Sequence, residues 1–344
     1  MNESRGIREN PPGIPPRYRV CEVLGRGTFA TVFKAKDEDE GKTVAIKKLH
    51  PQCVKNEKQS QRFEREVRVC QSLDHPNIIK VYSSAVTGKV AYLVMEYLEA
   101  ENLSSLLKSR KFIIPEAFRI IAQIASALDY IHHRKLVHRD VKPENIMVCP
   151  ETSKTVLTDF NLVQLPFRSS LSDTGDTLGT PMYVAPEVVM GAETSSLSDI
   201  YAMGLVFYEL LTGQVAYKEK AMGALLRSIC NDAPPTPSKL NPGLGTNIDS
   251  LVLACLEKDP QKRLKTASRF LRALAQVDAR GFTAVETVKE QSPGLKRKSQ
   301  VFSHLASIAS RINSSFGRRS LMIAIAALMA LLIIASYLAI AIAI

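Results

Sequence analysis

The chain has 344 residues, a net charge of +11 and six scattered cysteines, Cys21, Cys53, Cys70, Cys149, Cys230 and Cys255. That length allows one large domain or two ordinary ones with a core that needs no disulfides. No cysteine has redox or metal-ligand spacing, which fits free thiols in a reducing compartment. Much of the positive charge sits late: from Gln291 onward Lys296, Arg297, Lys298, Arg311, Arg318 and Arg319 stand without any Asp or Glu. Beside an apolar tail, that placement points to a membrane surface and not to nucleic acid.

Residues 1–17 are polar and Pro-rich, lack the apolar stretch of a secretory signal, and read as a disordered leader. Residues 18–277 alternate strand-like and helix-like patterns. TVFKAKD and KTVAIKKL carry the β-branched alternation of paired strands, with Gly25-Arg26-Gly27 marking the turn before them. QRFEREVRVCQSLDH has helical spacing that puts Phe63, Val67, Cys70 and Leu73 on one face. IIKVYSSAV and VAYLVMEYL predict two further strands. Beyond about residue 102 the pattern turns helical, in EAFRIIAQIASALDYIHH and LSDIYAMGLVFYELLTG. A small β-rich half thus precedes a larger helical one, and the cleft between them is the expected ligand site.

Six motifs stand in that frame. Leu24-Gly25-Arg26-Gly27-Thr28-Phe29-Ala30-Thr31-Val32 is glycine-rich enough for backbone N–H groups to approach phosphate oxygens. Alone it is no more than a hairpin turn. Val44-Ala45-Ile46-Lys47 ends a strand in a cation, and Glu66 follows on the next helix. Val137-His138-Arg139-Asp140-Val141-Lys142-Pro143-Glu144-Asn145 packs an acid, a base and an amide behind an apolar helix, a string with no ready structural explanation. Thr158-Asp159-Phe160-Asn161 follows an apolar strand. Ala185-Pro186-Glu187 follows Gly179-Thr180-Pro181-Met182-Tyr183.

In this order and near this spacing the motifs resemble the protein kinase family, serine/threonine type, and in particular bacterial Hanks-type membrane-anchored kinases. The resemblance runs from about residue 18 to about residue 275. It implies an α+β class, a bilobal protein kinase fold with a small β-rich N-lobe and a larger α-helical C-lobe, here with a C-terminal transmembrane helix. It implies ATP as phosphate donor and Mg²⁺, with Mn²⁺ as the alternative metal. Asp140, Lys142, Lys47 and Glu66 are then the catalytic set, Lys47 binding the α/β-phosphates and pairing with Glu66. Leu24, Gly25, Arg26, Gly27, Thr28, Phe29, Ala30, Thr31 and Val32 cover the nucleotide. Val32 and Ala45 pack on adenine, Met95 guards the back of its pocket, and Glu96, Tyr97 and Leu98 form the hinge. Asn145 and Asp159 hold the metal, for which hard oxygen ligands are suited. Glu187 pairs with Arg263, and Asp199 braces the catalytic loop.

Lys142, two residues after Asp140, and Thr180 match the serine/threonine form, so the partners implied are proteins bearing Ser or Thr. Arg139 implies a phosphate-reading cation. The loop of about 161–183 offers Ser169, Ser170, Ser172, Thr174, Thr177 and Thr180, with Thr174 and Thr177 the favoured autophosphorylation sites. Ala30 and Asn161 stand where the family has glycines; asparagine is the next most tolerant residue for positive φ. The rival reading is a membrane-anchored pseudokinase acting as a scaffold, against which Lys47, Asp140 and Asp159 are all present.

Residues 278–320 read as a basic juxtamembrane linker. Val301, Leu305, Ile308, Ile312 and Phe316 have helical spacing within it, which fits either a surface-lying helix or a tether. Residues 321–344 are almost wholly apolar, broken only by Ser336 and Tyr337. As a helix they would span about 36 Å, enough for a hydrocarbon core of about 30 Å. Arg318 and Arg319 place the preceding domain on the cytoplasmic side of a single-pass span. No domain is expected beyond it. Steps such as Ala326/Ala330 are compatible with a homodimer paired in the membrane.

Overall fold

The structure, a computed structural model, describes residues 10–27, 29–53, 57–87, 90–159 and 181–281, with Glu66 among those described by backbone alone. Residues 1–283 group into one compact unit and 284–344 into a second, whose residues all lie outside the described ones. The expected span at 321–344 therefore lies outside them too. Among the described residues no helix is long and apolar enough to cross a membrane.

The first half of the compact unit is an antiparallel sheet of β1 (Tyr18–Arg26), β2 (Ala30–Asp37), β3 (Thr43–Leu49), β4 (Val81–Thr87) and β5 (Val90–Glu96), in the order β1-β2-β3-β5-β4. Helix α1 (Glu57–Gln71) lies between β3 and β4 in sequence. Side chains alternate across a strand, so each strand serves two faces. Val44 and Ile46 of β3 join Phe33, Ala35, Tyr92 and Val94 in one apolar cluster. Ala45 of β3 joins Leu93 and Met95 in another, against Phe63, Val67 and Cys70 of α1. Lys47, two residues after Ala45, shares its face by that period. Phe63, Val67 and Cys70 form the predicted buried face of α1, while Leu73, also buried, lies two residues past its end and packs with the helical half.

Two expectations change here. β1 was not anticipated, because only Tyr18 and Val20 of its length are buried and Arg19, Glu22 and Arg26 mask the alternation. The leader is not disordered throughout: residues 10–17 fold back onto the outer face of the sheet. Ile14 is 5% exposed within the Phe33–Val94 cluster. Asn10 accepts from Val20 N–H (3.0 Å) and donates to Tyr18 O (2.7 Å), and Lys48 Nζ donates to Pro12 O (2.5 Å). Gly13 sits at φ +85°, so close to Val90 that an added Cβ would lie 2.5 Å from Val90 Cγ1. Pro-rich composition had signalled disorder, but Ile14 gives the segment an apolar anchor and the prolines reduce the entropy lost on docking it.

The second half is helical. β6 (Glu101–Asn102) leads into α2 (Leu103–Ser109), capped by Asn102 Oδ1 accepting from Ser105 N–H. α3 (Ile114–His133) follows, and then β7 (Ile146–Val148) and β8 (Thr155–Leu157) complete a small sheet with β6. Beyond residue 180 come α4 (Pro186–Val189), α5 (Ser196–Thr212), α6 (Met222–Asn231), α7 (Pro237–Leu240), α8 (Thr246–Cys255) and α9 (Ala267–Gly281). α9 thus runs four residues past the expected boundary at 277. α5 is bounded by a Ser195/Ser198 capping box and by Gly213 at φ +68°. It is buried nearly all round, which is the mark of a helix at the centre of its lobe. Phe207 of α5 meets Phe118 of α3 edge-on at 5.6 Å and Phe270 of α9 at 5.8 Å. The expected Glu187–Arg263 pair is present and bidentate, at 2.7 and 2.9 Å, with the Arg263 side chain fully buried. Arg263 also donates to Leu197 O and Glu257 O, so the guanidinium ties α4, α5 and the loop after α8 together.

The strap makes the first prediction. Ile14→Ala should lower the unfolding free energy by about 2 kcal/mol, the low end for deleting a buried aliphatic side chain, in chemical denaturation of the purified protein.

Candidate active site

The predicted residues converge on the boundary between the β-rich half and the helical half. Met95 ends the buried run of β5, and Glu96, Tyr97 and Leu98 lead from it into the second half. The residues expected to pack on adenine share one apolar cluster. Ala45 and Met95 are buried in it, Val32 and Leu98 pack against it, and from the helical half Val156 of β8 and Met147 of β7 join them. Met147 escaped sequence reading; its only signal is its place two residues after Asn145. Leu24, Gly25 and Arg26 lie on β1, and Ala30, Thr31 and Val32 on β2, with Gly27 and Phe29 between and Thr28 outside the described residues. Gly27 N–H donates to Ala30 O at 2.9 Å and closes the turn. A Cβ on Gly25 would meet nothing within 4 Å, so the backbone there is open to a ligand.

The acidic centre is built on loops held by buried groups. After α3 the chain passes through Arg139 at φ 74°, and after β8 it reaches Asp159 at φ 57°. Such backbone strains a residue other than glycine by about 1–3 kcal/mol and persists where neighbours enforce it. At Arg139 the enforcer is Asp199 at the start of α5. It is 2% exposed, and its carboxylate accepts from His138 N–H (2.8 Å), Arg139 N–H (2.9 Å) and His132 Nε2 (2.8 Å). The predicted bracing role is thereby observed. His138, fully buried, donates from Nε2 to Thr158 O (2.9 Å) and accepts from Asp140 N–H at Nδ1 (3.3 Å). One imidazole thus links the residue before Asp159 to Asp140. Burial holds its pKa below the usual value and keeps it neutral.

Asp140 and its neighbours form a connected set. Lys142 Nζ lies 2.8 Å from Asp140 Oδ2, and Asn145 Nδ2 donates to Asp140 Oδ2 (2.9 Å) and to Asp140 O (2.8 Å). Asn145 itself is 5% exposed and is tied to the strand before Asp159 by Thr158 N–H donating to Asn145 O at 2.8 Å. Lys47 Nζ reaches Asp159 Oδ1 at 2.7 Å, joining β3 to the loop after β8. The Lys47–Glu66 pair falls outside the described side chains, and so do Phe160, Asn161 and the hydroxyls from Ser169 to Thr180.

The donor set suits a hard divalent cation. Both N–H groups of the Asn145 amide point at Asp140, which turns Oδ1 away as an acceptor, and Asp159 offers a carboxylate nearby in the chain's hydrogen-bonded path. Two protein oxygens of this kind fit Mg²⁺, or Mn²⁺, which take their remaining ligands from phosphates and water. Tyr183 was missed as a positioning residue. Its hydroxyl donates to Glu209 Oε2 of α5 at 2.5 Å, and burial pushes the Glu209 carboxyl up while that hydrogen bond pulls it down. The pair seats the segment before α4 on the central helix.

The "Protein kinase domain" family matches residues 18–273. Among curated relatives, the chain is similar to serine/threonine-protein kinase PrkC of Bacillus subtilis, 34% identical over 256 residues, which are 74% of this chain and 39% of the relative. It is similar to serine/threonine-protein kinase PknB of Mycobacterium leprae, 30% identical over 273 residues, 78% of this chain and 44% of the relative. The chain therefore spans less than half the length of these relatives. Among solved structures, the Mycobacterium tuberculosis PknI kinase domain superposes with a TM-score of 0.62 at 24% identity, covering 78% of this chain and 99% of that one, a likeness of fold. With two lobes, a glycine-rich turn above an apolar cleft, and Lys47, Asp140, Asn145 and Asp159 gathered beside it, the chain belongs to the protein kinase domain family.

Proposed function

We propose that the chain is a serine/threonine protein kinase that transfers the γ-phosphoryl group of ATP to Ser or Thr hydroxyls of proteins. The observation that carries this reading is the hydrogen-bonded set linking Asp140, Lys142 and Asn145, joined through Thr158 to the Lys47–Asp159 contact. Phosphoryl transfer demands positioning and charge stabilisation more than covalent help from the protein. Asp140 has one carboxylate oxygen held by Lys142 and Asn145, and Oδ1 has no protein partner among the described residues. That oxygen can accept the hydrogen bond of an incoming hydroxyl and align it. Lys142, beside the same carboxylate, supplies positive charge where the transferred group would pass. Lys47 is ready to exchange its contact with Asp159 for phosphate oxygens. A divalent metal held by Asn145 and Asp159 would neutralise charge on the phosphates when bound. The apolar cluster of Val32, Ala45, Met95, Leu98, Met147 and Val156 matches the flat face of a purine.

The same reading includes autophosphorylation at Thr174 or Thr177. Arg139, exposed next to Asp140, supports this as a cation able to pair with such a phosphate. It also includes a cytoplasmic kinase domain anchored by a single span at 321–344, supported by the apolar run and by Arg318 and Arg319 before it. Pairing of two such spans would give a homodimer.

Purified chain with Mg²⁺ and ATP should label a general protein acceptor and itself. Asp140→Asn should reduce transfer by about a hundredfold or more, the scale of a lost acid–base group. Phosphopeptide mapping should find Thr174 or Thr177 modified. Labelling that is absent, or unchanged in Asp140→Asn, would favour the scaffold reading. Expressed with its tail, the chain should stay with membranes through alkaline carbonate extraction, whereas residues 1–290 should not; release of both forms overturns the span.

The buried His138 sets a pH dependence. Its pKa in the folded state lies below the usual 6.5, so as pH falls the unfolded chain takes up the proton first. The stability it contributes is present above about pH 6.5 and is lost as pH falls from there toward the lower folded value. His75, likewise lowered by burial, contributes with the same sign. The unfolding midpoint should therefore drop on acidification, and His138→Gln should flatten that slope in denaturation measured across pH 5–7.

A further inference from the structure

Among the described residues little packs against the two glycines of the turn: a Cβ on Gly25 would meet nothing within 4 Å, and one on Gly27 only Ala30 O at 3.6 Å. What holds its tip lies beneath, in the segment that leaves β3. His50 N–H donates to Phe29 O at 2.8 Å, and Cys53 Sγ lies 3.5 Å from the same oxygen. The His50 imidazole Nε2 is hydrogen-bonded to Thr31 Oγ1 at 3.1 Å. These contacts bracket Ala30, which pairs with Leu49 in the β2–β3 register. The short turn Pro51–Cys53 continues from His50, and Cys53 packs against the cluster that holds Phe63 and Val67 of α1.

We propose that His50 is a positioning residue for the nucleotide phosphates, latching the tip of the glycine-rich turn to the segment that leads into α1. The proposal rests on the kinase reading above. Its physical logic is entropic. A turn that must present backbone N–H groups to phosphate gains affinity when its conformation is set in advance, because less freedom is lost on binding. The imidazole fixes Thr31 on the strand side of the tip and the His50 N–H fixes Phe29 at the tip itself, so the two contacts restrain the turn against hinging. Since Cys53 is seated on the α1 side of the sheet, a displacement of α1, which carries Glu66, would reach the turn through the same segment.

Steady-state kinetics of the full chain test this with His50→Ala, Thr31→Val, the double variant, His50→Gln and, as a control, His133→Ala on the exposed end of α3. His50→Ala and Thr31→Val should each raise KM for ATP about three- to tenfold, the worth of one such hydrogen bond, with kcat less affected and KM for the protein acceptor unchanged. The double variant should be no worse than the worse single one, because both remove the same contact. His50→Gln, whose amide reaches as far as imidazole Nε2, should restore KM to within about twofold on the same scale. His133→Ala should leave all constants unchanged. Unaltered KM for ATP in His50→Ala, additive singles, or a failure of His50→Gln to restore it would each overturn the latch. If His50→Ala does not fold, Thr31→Val and His50→Gln carry the comparison. If the parent chain transfers no phosphate, the kinase reading falls; the variants are then compared by titration with Mg·ADP, and equal affinities overturn the latch separately.

Discussion

The site depends on one buried carboxylate. Asp199 starts the central helix α5 and accepts the N–H groups of His138 and Arg139 together with His132 Nε2. Hydrogen bonds to an ionised acceptor are roughly twice as strong as neutral ones, and burial raises the penalty for leaving any of them unmade. That strength offsets the left-handed backbone of Arg139 and sets the direction in which the next residue, Asp140, leaves the loop. The most buried helix of the large lobe thereby becomes the reference frame for the most exposed chemistry. Its other end of influence, Glu209 holding Tyr183, extends that frame to the segment before α4.

A second layer of restraint runs through His138. A neutral imidazole has one donor and one acceptor, and both are used to span the gap between the loop after α3 and the strand before Asp159. Asn145 repeats the device from the other side, with its amide on Asp140 and its carbonyl accepting from Thr158. Asp140 and Asp159, 19 positions apart in the chain, have their loops tied together by these two bridges.

The small lobe contributes alignment through the plainest rule of strands. Alternation sends Val44 and Ile46 outward beneath Ile14 and the strap, and Ala45 and Lys47 inward to the cleft. A one-residue slip of β3 would exchange the faces, taking Ala45 out of the apolar cluster and Lys47 away from Asp159 together. The strap over residues 10–17 covers the outer apolar face and so favours the native register.

Much of this is legible in the sequence. The period of apolar residues placed α1, α3 and α5, and ordered motifs identified Lys47, Asp140, Asn145 and Asp159, because local spacing and residue chemistry are properties of short stretches of chain. Even the long-range pairs Glu187–Arg263 and Asp199 with the catalytic loop followed from family resemblance. What composition misjudged was residues 10–17, where proline content masked a single anchoring isoleucine, and β1, where surface charge masked the alternation. Tertiary structure alone decided that His138 bridges two loops, that Met147 joins the apolar cluster of Ala45 and Met95, that Tyr183 rests on Glu209, and that His50 reaches the glycine-rich turn. Each of these is a contact whose partner lies in a distant segment, so that neither segment alone reveals it. Their meaning depends on which groups burial leaves within hydrogen-bonding distance, and only the packed chain determines that.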